Sequence, residues 1–66
     1  MKRYAISPIS VGSITKGKKY KVSGWKYSNT TIGHYFTITK DNGFVAYCLE
    51  KGCAHINDNN WKIIEE

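Results

Sequence analysis

Acid is what the first part of this chain lacks. No aspartate or glutamate precedes Asp41, yet Lys2, Arg3, Lys16, Lys18, Lys19, Lys21 and Lys26 all do, so residues 1–33 carry +7 and residues 34–66 carry −2. The net +5 is therefore unevenly spread, and a positive potential should cover part of the surface. Such a potential draws nucleic acid, a membrane surface or an acidic protein; lysines on strand faces also keep a small sheet protein soluble and block edge pairing. Proline is nearly missing too, with Pro8 alone. No apolar run approaches the roughly 18 residues of a membrane span, and no apolar leader follows Lys2 and Arg3. The expectation is a soluble protein that stays in the cytoplasm where it is made. Capped stretches of helical period, internal repeats and low-complexity tracts are absent as well. Cys48 and Cys53 are the only cysteines. Five residues apart across a turn, they could bridge, but a reducing cytosol would keep both as thiols.

What is present is sheet-forming. Sixty-six residues make one domain, and at this size folding buries only roughly 60% of the surface that the open chain exposes. That leaves no room for a lidded active-site cavity. The 41% hydrophobic content, with two Trp, five Tyr and two Phe, nevertheless points to a packed globule.

The stretch His34 to Leu49 holds two runs of aromatic and β-branched residues on either side of Asp41-Asn42-Gly43, where Asn42 and Gly43 can take positive φ at little steric cost. It predicts a β-hairpin. A two-residue loop would set Ile38 opposite Tyr47 and Phe36 opposite Leu49. A three-residue loop ending in a bulge would set Ile38 opposite Ala46 and Phe36 opposite Cys48. The second is favoured, because a small interior has room for Phe and Ile opposite Ala and Cys, whereas Tyr47 needs its hydroxyl wet or paired.

Around this hairpin, residues 1–13 are interrupted by Ser7-Pro8 and read as at best a short edge strand. Residues 14–22 alternate, with Tyr20 and Val22 on one face and Lys19 and Lys21 on the other, as in a half-buried strand with a basic wet side. Residues 23–33 read as an exposed, polar, glycine-bounded loop carrying Trp25 and Tyr27 around Lys26. Glu50-Lys51-Gly52 is a second turn, Asn57-Asp58-Asn59-Asn60 suits a tight or 3₁₀ turn, and Trp61 to Ile64 forms a last strand.

Ile14-x-x-Gly17-x-x-Tyr20-x-Val22, Phe36-x-Ile38, Asp41-Asn42-Gly43 and Trp61-x-Ile63 together resemble the all-β, five-stranded SH3-like barrel with a 3₁₀-like turn before its last strand. The stretch from Gly17 to Glu65, with Tyr47-Cys48 and Cys53-Ala54-His55-Ile56-Asn57, is also similar to small SH3-like proteins encoded by bacteriophages and mobile elements. That resemblance implies a single domain over residues 1–66 working in a host bacterial cytoplasm, with a host enzyme or defence protein as the partner to be inhibited. The chain departs from peptide-binding SH3 domains in lacking their acidic first loop, which argues against polyproline binding.

Chemistry-bearing patterns are sparse. Cys48, Cys53, His55 and His34 could hold zinc tetrahedrally, but Cys-x₄-Cys-x-His is a marginal ligand spacing, and a barrel accounts for the same residues more simply, with Cys48 as a small core hydrophobe. No nucleophile-base pattern or phosphate-cradling glycine loop is present, and Asp41 and Asp58 sit in turns. The expectation is a non-enzyme without cofactor. Two binding readings follow. In the first, Trp25, Tyr27 and Tyr47 anchor on an acidic patch of a larger protein, with Lys19, Lys21 and Lys26 around them. In the alternative, the lysines meet phosphates and Trp25 or Tyr27 stacks on unpaired bases of single-stranded DNA or RNA. Monomer and homodimer are both open, with residues 1–13 or the last strand as the edge that a second copy could use.

Overall fold

The hairpin about Asp41-Asn42-Gly43 forms with the bulged register. In the computed structural model, which describes residues 2–30 and 33–66, strands β4 (Gly33–Thr39) and β5 (Val45–Leu49) are antiparallel, with Phe36 opposite Cys48 and Ile38 opposite Ala46. The Lys40 N–H donates to Phe44 O at 2.8 Å and the Gly43 N–H to Lys40 O at 3.0 Å, leaving three residues in the loop. Gly43 closes it at φ +85°, a conformation that costs a residue with a Cβ. The even-numbered side chains Phe36, Ile38, Ala46 and Cys48 are buried as a consequence.

Among the described residues, six strands form two three-stranded antiparallel sheets. The first runs β2 (Lys19–Lys21), β1 (Arg3–Ile6), β6 (Lys62–Glu65); the second runs β3 (Ser23–Ser28), β4, β5. The chain passes from one sheet to the other without a loop. Val22 follows β2 and donates its N–H to Arg3 O at 3.0 Å, and β3 begins at Ser23 with an irregular register up to Lys26. Gly24, at φ +65°, lies in that irregularity and lets the strand bend.

Between the sheets lie Ala5, Ile14, Tyr20, Phe36, Ile38, Ala46, Cys48, Cys53, Ile56 and Trp61, all buried. Trp61 meets Tyr20 and Phe36 edge-on, with ring centroids 6.2 and 6.0 Å apart. Tyr20 solves its hydroxyl problem by reaching the rim, where the oxygen accepts from the Thr15 N–H at 2.7 Å and its proton goes to Asp41 at 3.0 Å. The 3₁₀ turn Ala54–Ile56 packs Ile56 into the same core and ends with Asn57 and Asp58 in the left-handed region. No helix among the described residues is long and apolar enough to cross a membrane.

Several expectations change. Among the described residues there are six strands rather than the five expected. Residues 23–28 of the expected loop are strand β3, because Trp25 has a core to cover and the bulge at Gly24 absorbs the polar, glycine-containing start; Thr31 and Ile32 of that loop lie outside the described residues, as does Met1. The N-terminal segment supplies the central strand of its sheet, not an edge, since β1 is flanked by β2 and by β6. Pro8 is compatible with this because β1 ends at Ile6. Residues 14–18 precede strand β2 rather than belonging to it, and the 3₁₀ turn falls at Ala54–Ile56, just before the Asn57-Asp58-Asn59-Asn60 stretch expected to form a tight or 3₁₀ turn.

Candidate binding surface

Alternation along β3, β4 and β5 sorts their side chains onto two faces. On the inner face Trp25 leans over the core. Its ring stacks on His34 at 4.4 Å, tilts against Phe36 at 5.7 Å and lies under the Arg3 guanidinium at 4.6 Å. It is half-buried, a plug at the open end of the sheets. Tyr27 shares this face and meets His34 edge-on at 5.4 Å, yet remains exposed. His34 is therefore held from both sides, with its Nδ1 3.5 Å from the Glu50 carboxylate.

The outer face is different. Lys26 lies opposite Tyr35, Tyr35 opposite Leu49, Thr37 opposite Tyr47 and Thr39 opposite Val45. Tyr47 is 78% exposed, Val45 60% and, at the end of the hairpin, Phe44 71%. Tyr35, Val45 and Tyr47, on adjacent strands, make an aromatic and aliphatic patch with Lys26 at its side, while Phe44, of the same parity as Ala46 and Cys48, belongs to the hairpin tip; such a patch is the kind of surface that marks a docking site.

Lys19 and Lys21 belong to neither group. They project from β2 on the outer face of the other sheet, where Tyr4 lies opposite Lys21 and Ile6 opposite Lys19. Thus the six residues expected to form one site divide into three. Lys26 and Tyr47 share the outer face of the second sheet, Trp25 and Tyr27 share its inner face, and Lys19 and Lys21 stand on the first sheet. Sequence reasoning missed Tyr35 and Val45. The alternation Tyr35, Thr37, Thr39 against Phe36, Ile38 could have placed Tyr35 outside, once the hairpin register was fixed.

Much of the early positive charge is locally answered. Arg3 pairs with Glu65 at 3.4 Å, Lys18 with Asp41 at 2.5 Å and Lys19 with Glu66 at 2.5 Å. Asp41 also accepts from Thr15 Oγ1 at 2.6 Å as well as from Tyr20. The Lys18 hydrogen bond, then those from Thr15 and Tyr20, hold its carboxyl down at about 2. Lys18 is correspondingly raised by the same bond. Asp41 is thus a latch joining the hairpin loop to residues 15–20.

Cys48 and Cys53 are both free and 1% exposed. Hydrogen bonding to Cys53, and then burial, push the Cys48 thiol up. Cys53 is held below the ordinary thiol range by Cys48, with further lowering by the Trp61 indole and by backbone at Leu49 and His55, against the opposing cost of burial. The Trp61 indole N–H is buried and has no hydrogen-bond partner. His55 lies exposed on the 3₁₀ turn and His34 is committed to Trp25 and Glu50, so the four residues considered for zinc are not gathered. Among the described residues no three His, Cys, Asp or Glu side chains are placed to hold a metal ion.

No protein-family model, no curated protein sequence and no solved structure matches this chain.

Proposed function

We propose that this chain is a non-enzymatic binding module that docks on an acidic surface of a larger protein through the outer face of its second sheet. The observation that carries the reading is the patch of Tyr35, Val45 and Tyr47 beside Lys26. Rigid aromatics bury large area at low entropic cost, and the net charge of +5 speeds encounter with an acidic partner. That the lysines of β2 stand on the other sheet favours protein over nucleic acid at this patch, since base stacking needs phosphate contacts interleaved with the aromatics.

The SH3-like barrel is part of this proposal. It is supported by the continuous passage from β2 into β3 across both sheets, by pairing of the first strand with the last, and by the 3₁₀ turn that precedes the last strand. With the phage-type resemblance, the reading becomes an accessory protein that binds and inhibits or modulates a host protein in the bacterial cytoplasm.

Affinity capture from a nuclease-treated bacterial lysate tests it. A protein retained at 200 mM salt by the native chain, and lost by a variant carrying Tyr35→Ala, Tyr47→Ala and Lys26→Ala, is the expected result. Capture that disappears on nuclease treatment would move the reading to nucleic acid.

A further inference from the structure

The outer face of the first sheet carries a second constellation. Register places Lys62, Ile6 and Lys19 in one row across β6, β1 and β2, and Ile64, Tyr4 and Lys21 in the next. Lys2 and Glu66 extend the ladder by exchanging backbone hydrogen bonds at 2.8 Å in both directions, so their side chains share this face. Four lysines therefore rim a half-buried ridge of Tyr4, Ile6 and Ile64, and the one acid among them is Glu66. That acid is already engaged. Lys19 reaches across Tyr4, its Nζ 6.0 Å from the ring centroid, to pair with the Glu66 carboxylate at 2.5 Å. Among the described residues, no acid lies within ion-pair distance of Lys2, Lys21 or Lys62.

We propose that this face is a binding site for the phosphate backbone of single-stranded nucleic acid, with the Glu66 carboxylate as a built-in competitor that the phosphate displaces from Lys19. The site is separate from the aromatic face of the second sheet, and would make the protein an adaptor between a protein and a nucleic acid. The geometry fits the chemistry. Lys19 and Lys21, two residues apart on one strand, are about 7 Å apart at their roots, and Lys62 lies two strands away, about 9.5 Å from Lys19. Three point charges at such spacing track a flexible single strand, and the Tyr4 ring between them becomes available for a base once Lys19 swings from Glu66 to phosphate. A face three short strands wide suits a flexible single strand, which can follow its twist, better than a stiff duplex.

The test is fluorescence anisotropy of labelled oligo(dT) and of a duplex of equal length, titrated with the intact protein between 50 and 200 mM salt. Native protein should bind the single strand with a salt slope near −2, from about 0.7 per phosphate met by Lys19, Lys21 and Lys62. Lys21→Ala or Lys62→Ala should lower the slope by about 0.7 each. Glu66→Gln should tighten binding several-fold, because it frees Lys19, while Lys26→Ala and Tyr47→Ala on the other sheet should leave binding unchanged. These substitutions are at exposed positions, and circular dichroism confirms that each variant is folded. No binding at 50 mM salt overturns the proposal, as do tighter binding of the duplex, weaker binding by Glu66→Gln, or dependence on Lys26 and Tyr47. Dependence on Lys26 and Tyr47 would also count against the protein-docking reading, by putting nucleic acid on its patch; the other results leave that reading untouched, because it stands on other residues.

Discussion

Replacing Trp25 by alanine separates a structural plug from a binding anchor. Full burial of a tryptophan makes its loss cost about 3–5 kcal/mol; Trp25 is half-buried, so about 2 kcal/mol is expected from packing against Phe36 and the core. Loss of the stack on His34 and of the Arg3 contact adds about 0.5–1 kcal/mol together. The whole domain, at about 0.05–0.15 kcal/mol per residue, holds some 3–10 kcal/mol. A loss of about 3 kcal/mol therefore removes from about a third to all of the domain's stability. Urea denaturation followed by far-ultraviolet circular dichroism measures it, with Tyr47→Ala as the reference, expected within about 0.5 kcal/mol of the native chain. If Trp25→Ala costs less than about 0.5 kcal/mol, the stacking does not hold the sheets and the reasoning fails. Substituting Trp25, Lys26 and Tyr27 together would confound binding with folding for this reason.

Three further outcomes follow from the same contacts. Asp41, depressed to about 2 by Lys18, Thr15 and Tyr20, contributes stability that is complete above its ordinary 3.8 and lost as pH falls through about 2; Asp41→Asn should remove this acid limb from a pH series of thermal melts, and an unchanged limb would show that the latch contributes nothing. Gly43→Ala meets no neighbouring atom but forces a Cβ into φ +85°, so about 1–2 kcal/mol should be lost in urea titration; no loss would mean that the loop relaxes into another turn. Cys48 and Cys53, each 1% exposed, should react with a thiol reagent in the native protein only at the rate of opening, and at full speed in denaturant; immediate native reaction would place them at the surface.

The parts of the fold that could be read from sequence are those set by neighbours along the chain. Asp41-Asn42-Gly43 announces its hairpin because only a residue tolerant of positive φ closes a three-residue loop, and the volumes of Phe36 and Ile38 then choose Cys48 and Ala46 as partners. The crowding of Asn57, Asp58, Asn59 and Asn60 marked a tight turn, and Asn57 and Asp58 do take the left-handed region there, but the 3₁₀ turn itself lies one step earlier, at Ala54–Ile56, where no local signal announced it. Strand β1 was not, since what makes Arg3–Ile6 central is pairing with residues about sixty positions away, and no local pattern encodes a distant edge. Strand β3 was hidden by its own composition. Ser23, Gly24 and Ser28 look like loop, and the alternation of Trp25 and Tyr27 against Lys26 is too short to outweigh them. The candidate site suffered most, because basic and aromatic residues adjacent in sequence diverge onto different faces once β2 and β3 enter different sheets.

The central claim, that the outer face of β3, β4 and β5 is the docking surface, is tested most directly by nuclear magnetic resonance. Uniformly ¹⁵N-labelled chain is titrated with the protein it captures, and amide shifts are mapped. The account predicts shifts centred on Lys26, Tyr35, Thr37, Val45 and Tyr47, with the rest of the spectrum quiet. Shifts confined to Tyr4, Lys21 and Lys62 on the first sheet, with Tyr35 and Tyr47 unmoved, would contradict it.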